Sequence, residues 1–266
     1  MDRRVLYSTW DFKINMIDIN SYIGNWVFRP LPNSSSEDLY NNLTANGIQK
    51  ALVSSIEGIF YDEPQIANEI LFRQIGQFPL FLPVAVLNPG LSNWEKNLNK
   101  CCKEHNIKAI KLYPNYHRYN LNDSNAKDLL LLAGEKDITV IIQMRVQDVR
   151  AQNPICIVQD VDFSSVINIA ESVVGTRFVF GGIKWNEVQG IADKKLPNVW
   201  IDISNIEYID ILRRLIKICD IEKILFGTHA PFFEIKSAIL KLKEANLSKE
   251  EYVSITSVNA QKAFCL

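Results

Sequence analysis

Short runs of apolar residues alternate with longer amphipathic stretches along the whole chain of 266 residues. Eight of these runs are rich in β-branched and aromatic residues, and several are almost continuously apolar, which is typical of parallel strands buried on both faces. The predicted strands are residues 14–19, 49–55, 80–87, 107–113, 138–144, 177–182, 198–204 and 223–227. The alternation predicts repeated β-α units rather than separate blocks of strands and helices.

The amphipathic stretches between these runs have the spacing of helices that bury one face. The predicted helices are residues 36–46, 62–77, 92–105, 125–136, 162–174, 185–194, 206–219 and 233–245, followed by a terminal helix at 249–264. Signals at the helix ends agree with this placement. Capping-box spacing occurs in Ser34 with Glu37, Ser92 with Glu95 and Ser248 with Glu251, and Gly47 and Gly175 follow helical runs.

Eight β-α units in roughly 250 residues are the stoichiometry of a TIM (β/α)8 barrel. No Pro-, Gly- or Ser-rich linker divides the chain, so we predict a single α/β domain over residues 1–266 with an extra C-terminal helix. An open, doubly wound sheet is the alternative. The chain lacks a G-x-G-x-x-G segment after the first strand, and this absence favours the barrel.

The composition is that of an ordinary globular protein, with 47% hydrophobic and 22% charged residues. The formal net charge of −1 gives no basic excess for a nucleic acid or an anionic membrane, so neither is an expected partner. No stretch approaches the roughly 18 apolar residues of a membrane span. The five cysteines contain no Cys-x-x-Cys pair, and the first residues lack the apolar run of a signal peptide. We therefore expect a reduced, cytoplasmic protein that binds a small-molecule substrate; a homo-oligomer stays open.

The carboxyl ends of the predicted strands carry side chains suited to chemistry, because TIM-barrel active sites lie at that face. The candidates are Asn20, Tyr22 and Arg29 after the first strand, Lys111 and His117 after the fourth, Gln143, Arg145 and Asp148 after the fifth, Asp202 at the seventh, and His229 after the eighth. Structural roles are the alternative for several of them. Arg145 and Asp148 could bind each other, and Asp202 could be an interior hydrogen-bonding carboxylate.

Only three histidines occur in the chain, and this number limits any metal site. Imidazole is the commonest metal ligand, and many hydrolytic metal sites use three or four of them. His105 lies near the end of a predicted helix, where a cation suits the helix dipole, and no catalytic role is expected of it. His117 and His229 remain as candidates for the site.

Four segments together resemble the amidohydrolase superfamily, specifically the amidohydrolase-related TIM-barrel hydrolases and decarboxylases. MIDINSYIG resembles the family's I-D-x-H-x-H-x-G on strand 1, and FLPVAVLNPG resembles its strand 3. ILFGTHAPF resembles its strand-8 motif I-L-F-G-S-D-x-P, and SITSVNAQKAFCL resembles its terminal helix with N-A-x-x-L-F. The resemblance implies that the chain folds as a TIM barrel and is related to metal-dependent hydrolases and decarboxylases.

The metal ligands of that family are not preserved here. Asn20 and Tyr22 stand where the family's strand-1 histidines belong, and His229 replaces the strand-8 aspartate. Gln143 and Gly181 are the approximate counterparts on strands 5 and 6. Amide, phenol and glycine are poor substitutes for imidazole on zinc. The departure predicts a remodelled site without the binuclear metal centre.

The first functional hypothesis is a hydrolase of a small, carboxylate-bearing or cyclic molecule that works without that centre. His229 or Asp148 would be the general base for water, while Arg145 and Arg29 would hold an anion in the fork geometry of guanidinium. The expected catalytic residues are His229, Asp148, His117 and Asn20, and the expected substrate-binding residues are Arg145, Arg29, Tyr22, Gln143 and Lys111.

Two alternatives remain open. One keeps a single divalent metal such as zinc, bound by His117 and His229 with Asp148 or Asp202, in a hydrolase or decarboxylase. The other is a catalytically inactive barrel that binds a ligand or a partner. Convergence of His117, Arg145, Asp148 and His229 on one cavity would favour an enzyme, and its absence would favour a binding protein.

Overall fold

A computed structural model describes residues 15–266 of the chain. Its eight strands correspond one for one to the eight predicted apolar runs. They are β1 (Met16–Ile23), β2 (Ile48–Ser55), β3 (Phe81–Val86), β4 (Ala109–Leu112), β5 (Thr139–Gln143), β6 (Phe178–Gly181), β7 (Val199–Asp202) and β8 (Ile224–Leu225). The predicted first strand began at residue 14, which lies outside the described residues, and the prediction of one domain over 1–266 stays a prediction.

The strands form one parallel sheet in sequence order from β1 to β8. Backbone hydrogen bonds join β1 to the segment around β8 and close the sheet: Ile19 N donates to Phe226 O at 3.1 Å, and His229 N donates to Asn20 O at 2.8 Å. Tyr22 N donates to Ala230 O at 2.8 Å. The predicted TIM barrel is therefore confirmed.

Helices lie between the strands close to the predicted positions. They are α1 (Ser36–Ala45), α2 (Pro64–Ile75), α3 (Trp94–His105), α4 (Pro114–His117), α5 (Ser124–Glu135), α6 (Phe163–Ser172), α7 (Trp185–Lys194), α8 (Ile211–Ile218), α9 (Ile235–Glu244), α10 (Lys249–Val253) and α11 (Asn259–Phe264). A π-helical turn at Ser254–Val258 joins α10 to α11, so the predicted terminal helix is continuous but bulged. Within residues 15–266, no helix is long and apolar enough to cross a membrane.

The predicted capping boxes are only partly correct. Ser248 with Glu251 caps α10 as predicted. At α1 the cap lies one residue later than expected, at Ser35, whose hydroxyl accepts a backbone N–H of the first turn. At α3 the cap position is Asn93, whose side chain donates to Glu63 instead of capping the helix. Local spacing thus found the helix ends without identifying every cap.

The two glycines predicted to follow helices, Gly47 and Gly175, have different backbone conformations. Gly47 after α1 has φ of +80°, the left-handed conformation that glycine adopts most easily. Gly175 does not have a positive φ, because α6 ends earlier at Ser172 and the chain turns before the glycine. The one-turn helix α4 was not predicted; its four residues are too short for a periodic signal.

The apolar core has three zones, and their side chains pack around and inside the barrel. The largest zone lies between the strands and the surrounding helices. A second fills the barrel interior towards its amino-terminal end, where Ile17, Leu52 and Ile141 pack against Phe264 of α11. A third covers the opposite, carboxyl-terminal end with aromatic side chains. The polar groups of the barrel interior therefore lie between two apolar layers.

A register shift in β1 directs the polar side chains into the barrel. Asp18 pairs with Ala51 and Ser21 pairs with Val53, so two residues of β1, Ile19 and Asn20, lie opposite one residue of β2. Such a bulge changes which side chains face inward. Ile19 packs in the barrel interior, and the neighbouring Asn20 also reaches across the barrel to β7.

Candidate active site

Five side chains meet inside the carboxyl-terminal half of the barrel, and we call them the central polar cluster: Asn20, Tyr22, Lys111, Asp202 and His229. Asn20 Nδ2 donates to Asp202 Oδ2 at 2.6 Å and lies 3.3 Å from His229 Nδ1. Lys111 Nζ donates to Asn20 Oδ1 at 2.8 Å. All five side chains are buried, so this is a closed polar centre in an apolar surrounding.

His229 is held as a neutral imidazole. Its Nε2 lies 2.8 Å from Val146 O, an acceptor, which assigns the proton to Nε2 and leaves Nδ1 as an acceptor for Asn20. Tyr22 Oη lies 3.4 Å from the same Nδ1. Burial lowers the pKa of His229 to about 4, because the charged form loses its hydration.

Lys111 carries its amine into the same centre from β4. Its Nζ lies 4.0 Å above the centroid of the Tyr22 ring, where the negative face of the ring attracts a cation. Burial lowers the pKa of Lys111 to about 7, while the charges of Asp202 and Asp18 raise it. Near neutral pH the amine therefore exists in both protonation states.

His229 has a backbone conformation that is rare for a residue with a side chain. Its φ is +58°, in the left-handed region. Asp18 secures this segment because its carboxylate accepts Thr228 N at 2.9 Å, Thr228 Oγ1 at 2.6 Å and the hydroxyl of Ser21. Residues in such conformations concentrate at functional sites. This outlier supports a functional role for His229.

Aromatic rings close the barrel above the central polar cluster, and we call Trp26, Phe28, Phe60, Tyr116 and Phe232 the aromatic cover. The rings that contact each other within this cover have centroids 5.0 to 5.8 Å apart. Phe232 also packs edge-on against the ring of Tyr22 at 5.3 Å. The cover excludes water from the cluster, which strengthens every electrostatic interaction within it.

Arg145, an expected anion-binding residue, lies outside this centre. Its guanidinium binds both carboxylate oxygens of Glu187, donates to Gly182 O and lies 2.8 Å from Asp160 Oδ2. This side chain is 2% exposed, so its donors are directed into the protein. Arg145 therefore connects the segment after β5 to α7. It does not pair with Asp148, so the alternative in which these two residues bind each other is wrong.

Asp148 and Arg29 also lie away from the central polar cluster. Asp148 Oδ1 accepts Arg150 Nε at 2.8 Å, and its other oxygen lies 3.6 Å from Lys184 Nζ. The Arg150 side chain beside Asp148 holds the pKa of that carboxyl well below its usual range. Arg29 is exposed on the loop after β1. The two residues remain predictions for the site, without contact to its centre.

His117 and Gln143 border the centre. His117 Nε2 lies 3.0 Å from Gly58 O, and its ring packs against Tyr113 at 5.9 Å. Gln143 Nε2 donates to Arg145 O at 2.8 Å, whereas its Oε1 is buried and has no hydrogen-bond partner among the described residues. Within residues 15–266, no hydrogen bond or ion pair joins His117, Arg145, Asp148 and His229 directly, although Arg145 and Asp148 are linked through Asp160 and Lys184.

The central polar cluster does not suit the metal of the resembled family. His229 Nδ1 and Asp202 Oδ2 are the two atoms with lone pairs that could bind a metal ion. The amide Nδ2 of Asn20 lies within 3.3 Å of both atoms and donates hydrogen bonds to these lone pairs. The ammonium of Lys111 bonds to the other side of that amide and would repel a cation. Two neutral or anionic donors are also fewer than the three that catalytic zinc uses.

The alternative single-metal set of His117 and His229 with Asp148 or Asp202 is not assembled either. Across residues 15–266, one group of three His, Cys, Asp or Glu side chains has ligand atoms within 4.8 Å of one another. It consists of Glu69, Glu104 and His105 on the outer helices α2 and α3, and Lys100 Nζ already lies 2.8 Å from Glu69.

The chain matches no protein-family model and no curated protein by sequence. Its structure, in contrast, is similar to that of 2,6-dihydroxybenzoate decarboxylase from Rhizobium, with a TM-score of 0.73 at 13% identity over 95% of this chain and 99% of that chain. A putative amidohydrolase from Staphylococcus aureus gives a TM-score of 0.72 at 13% identity, over 94% and 99% of the two chains. These similarities confirm the predicted TIM-barrel fold.

A third similar structure is dihydroxybenzoic acid decarboxylase from Polaromonas sp. JS666 with bound manganese and the inhibitor 2-nitroresorcinol. The TM-score is 0.73 at 15% identity, over 95% of this chain and 97% of that chain. These identities are low, so the similarity establishes how the chain folds. The chemistry of the present barrel has to be argued from its own side chains.

Sequence reasoning found each member of the central polar cluster but not their arrangement. Lys111 was expected to bind substrate, and Asp202 was considered as a metal ligand or as an interior hydrogen-bonding carboxylate; the structure joins both through Asn20. The partners of Arg145 were missed altogether. Glu187 offered one signal, because it stands three residues after Lys184 at the start of a predicted helix, and its carboxylate accepts Lys184 N at 2.7 Å.

Proposed function

We propose that this protein is an enzyme that acts on a small, carboxylate-bearing molecule at the carboxyl-terminal face of the barrel without a bound metal. The observation that carries the proposal is the central polar cluster: an amine, an imidazole and a carboxylate, bonded to one amide, inside a water-excluded barrel. Burying such groups costs stability, and perturbed groups of this kind concentrate at functional sites.

The cluster offers a distinct chemical role for each group. The hydroxyl of Tyr22, and Lys111 in its protonated state, would bind a carboxylate or a developing oxyanion. His229, whose Nδ1 is unprotonated, would accept a proton and later return it. Asp202 would hold Asn20 in place and balance the positive charge of the Lys111 amine. The reaction is then a hydrolysis or a decarboxylation, and the decarboxylases named among the similar structures favour the second.

Turnover by the protein in the presence of a chelator tests this proposal. We would screen small aromatic and oxo carboxylates, following substrate loss and carbon dioxide release by NMR. Asp202→Asn keeps the shape of the cluster but removes its charge, and we expect turnover to fall by at least about 100-fold. Glu222→Gln is the control, because Glu222 pairs with Lys262 away from the cluster.

Unchanged turnover in Asp202→Asn would contradict the proposal, as would activity that requires added metal. Saturable binding without turnover by any compound would instead support a barrel that only binds its ligand. One observation favours this second candidate: among the described residues, His117, Arg145, Asp148 and His229 share no direct hydrogen bond or ion pair and do not meet in one cluster. A folded wild-type protein that neither binds nor converts a carboxylate would exclude both.

A further inference from the structure

We propose that Lys111 is the nucleophile of this barrel and forms an imine with a small carbonyl compound that also carries a carboxylate. The inference rests on the proposed function and names its substrate class.

Lys111 lacks the carboxylate partner that buried lysines ordinarily have. Its side chain is 1% exposed, yet within residues 15–266 it makes no ion pair within 4.0 Å. Its nearest polar partner is the neutral oxygen of Asn20, and its other contact is the face of the Tyr22 ring. A desolvated amine without an anionic partner gives up its proton readily and becomes a nucleophile.

The other cluster members can move the protons that imine formation requires. The Lys111 nitrogen lone pair attacks the carbonyl carbon, a C–N bond forms, and the carbonyl oxygen takes up a proton. The nitrogen of the resulting carbinolamine then gives one proton to His229 Nδ1, this proton passes to the hydroxyl, which leaves as water, and a protonated imine remains. Tyr22 Oη and His229 Nδ1, 3.4 Å apart, are a donor and an acceptor beside this step.

The protonated imine would keep the electrostatics that the structure already has. Its positive charge would stand where the Lys111 ammonium stands now, above the Tyr22 ring and near the charge of Asp202. The substrate carboxylate would add one negative charge in a water-excluded space. We expect the hydroxyl of Tyr113, also buried at this end of the barrel, to be available to it as a donor.

A 3-oxo acid is the substrate for which this chemistry is most useful. Once the imine has formed, the bond between the carboxylate and the neighbouring carbon breaks, and its electron pair moves to the imine nitrogen as carbon dioxide leaves. The enamine then takes a proton on carbon, and water hydrolyses the imine, which returns the amine of Lys111. The balance needs water and no oxidant or reductant.

Entry to the amine requires movement of the aromatic cover. Trp26 and Phe232 are buried, while Phe28, Phe60 and Tyr116 are partly exposed at its outer side. Small probes are therefore the appropriate test compounds. Glyoxylate, pyruvate and acetoacetate each combine a carbonyl with a carboxylate, and acetoacetate is also a 3-oxo acid.

Reductive trapping tests the proposal on the folded, full-length protein. Each probe is incubated with the protein, borohydride is added to reduce any imine to a stable secondary amine, and the labelled lysine is located by peptide mass spectrometry. We expect one predominant label, on Lys111, in the native protein and its loss as the predominant site in urea. Mapping the wild-type protein makes the result independent of whether Lys111→Met folds.

Lys223→Met provides the matched control, because Lys223 Nζ also lies over an aromatic ring, 3.8 Å from the centroid of Trp200, and burial also lowers its pKa. This variant should keep the Lys111 label, and folded Lys111→Met should lose it. Labelling spread over surface lysines, or none on Lys111, would overturn the inference. Turnover without a Lys111 label would refute the imine but leave the proposed function standing, whereas a Lys111 label without turnover of any carboxylate would refute the proposed function alone.

Discussion

Asn20 determines the chemistry of the barrel centre at the scale of a single residue. Its amide donates to Asp202 and accepts from Lys111, so one side chain joins an anion to a cation. A neutral histidine at this position, as in the resembled motif, has one N–H donor, whereas the two N–H groups of the Asn20 amide face both Asp202 Oδ2 and His229 Nδ1. The replacement thus exchanges a metal ligand for a hydrogen-bond bridge.

The buried imidazole of His229 predicts a specific loss of stability in acid. Its pKa is about 4 in the folded protein and near 6.5 when unfolded, so between these values the unfolded chain binds the extra proton. The free energy of unfolding should therefore fall as pH drops from about 6.5 to about 4, by on the order of 3 kcal/mol from this group.

His229→Gln removes the titrating group and tests this prediction. Urea unfolding of both proteins at pH about 7 and about 4.5 gives the difference that belongs to the imidazole, because the carboxylates titrate in both. The variant should be less sensitive to acid than the wild type. Parallel losses of stability in the two proteins would show that His229 is not the group responsible.

The segment between β5 and α6 shows how one element is fixed in place. Arg145 connects it to the amino-terminal turn of α7 through Glu187 and to Asp160 further along the same segment. The polar contacts of this side chain are buried, whereas Arg150 in the same segment is 87% exposed. The two arginines therefore differ in what they contribute, although the sequence presents them alike.

Arg145→Met should destabilise the protein by about 3 kcal/mol, because it removes the guanidinium from the largely buried carboxylate of Glu187 and leaves that charge, among the described residues, only the Lys184 N–H as a partner. Arg150→Met removes a charge from the same segment at the surface, and its unfolding curve should coincide with that of the wild type. Chemical denaturation of the two variants measures both effects. Equal stability of the variants would mean that the Arg145 ion pairs do not hold the segment.

The whole barrel shares its fold with the structure of a manganese-bound decarboxylase, but its own centre is unsuited to a metal. We expect that exhaustive dialysis against EDTA changes neither the melting temperature nor any turnover, since Asn20 already binds Asp202 and approaches the Nδ1 of His229. Elemental analysis of protein purified without a metal-affinity tag should find no stoichiometric transition metal. A melting temperature that falls with EDTA and returns with manganese or zinc would contradict this expectation.

Local pattern was sufficient for most of the fold and for little of the site. The eight apolar runs became strands because parallel strands are buried on both faces, which a single sequence records directly. The helix α4 and the bulge in β1 were not predicted, since both are shorter than the periods on which prediction depends. The bulge is what turns Asn20 inward.

The sequence by itself determined the barrel, the near-zero net charge and the small number of imidazoles available to any site. Only the tertiary structure decided that Asn20 meets Asp202, 182 residues away, and that Arg145 faces Glu187 instead of a ligand. The reason is physical: apolar periodicity is repeated over many residues and is readable locally. A hydrogen-bonded centre instead depends on single contacts between distant strands, fixed only when the barrel closes.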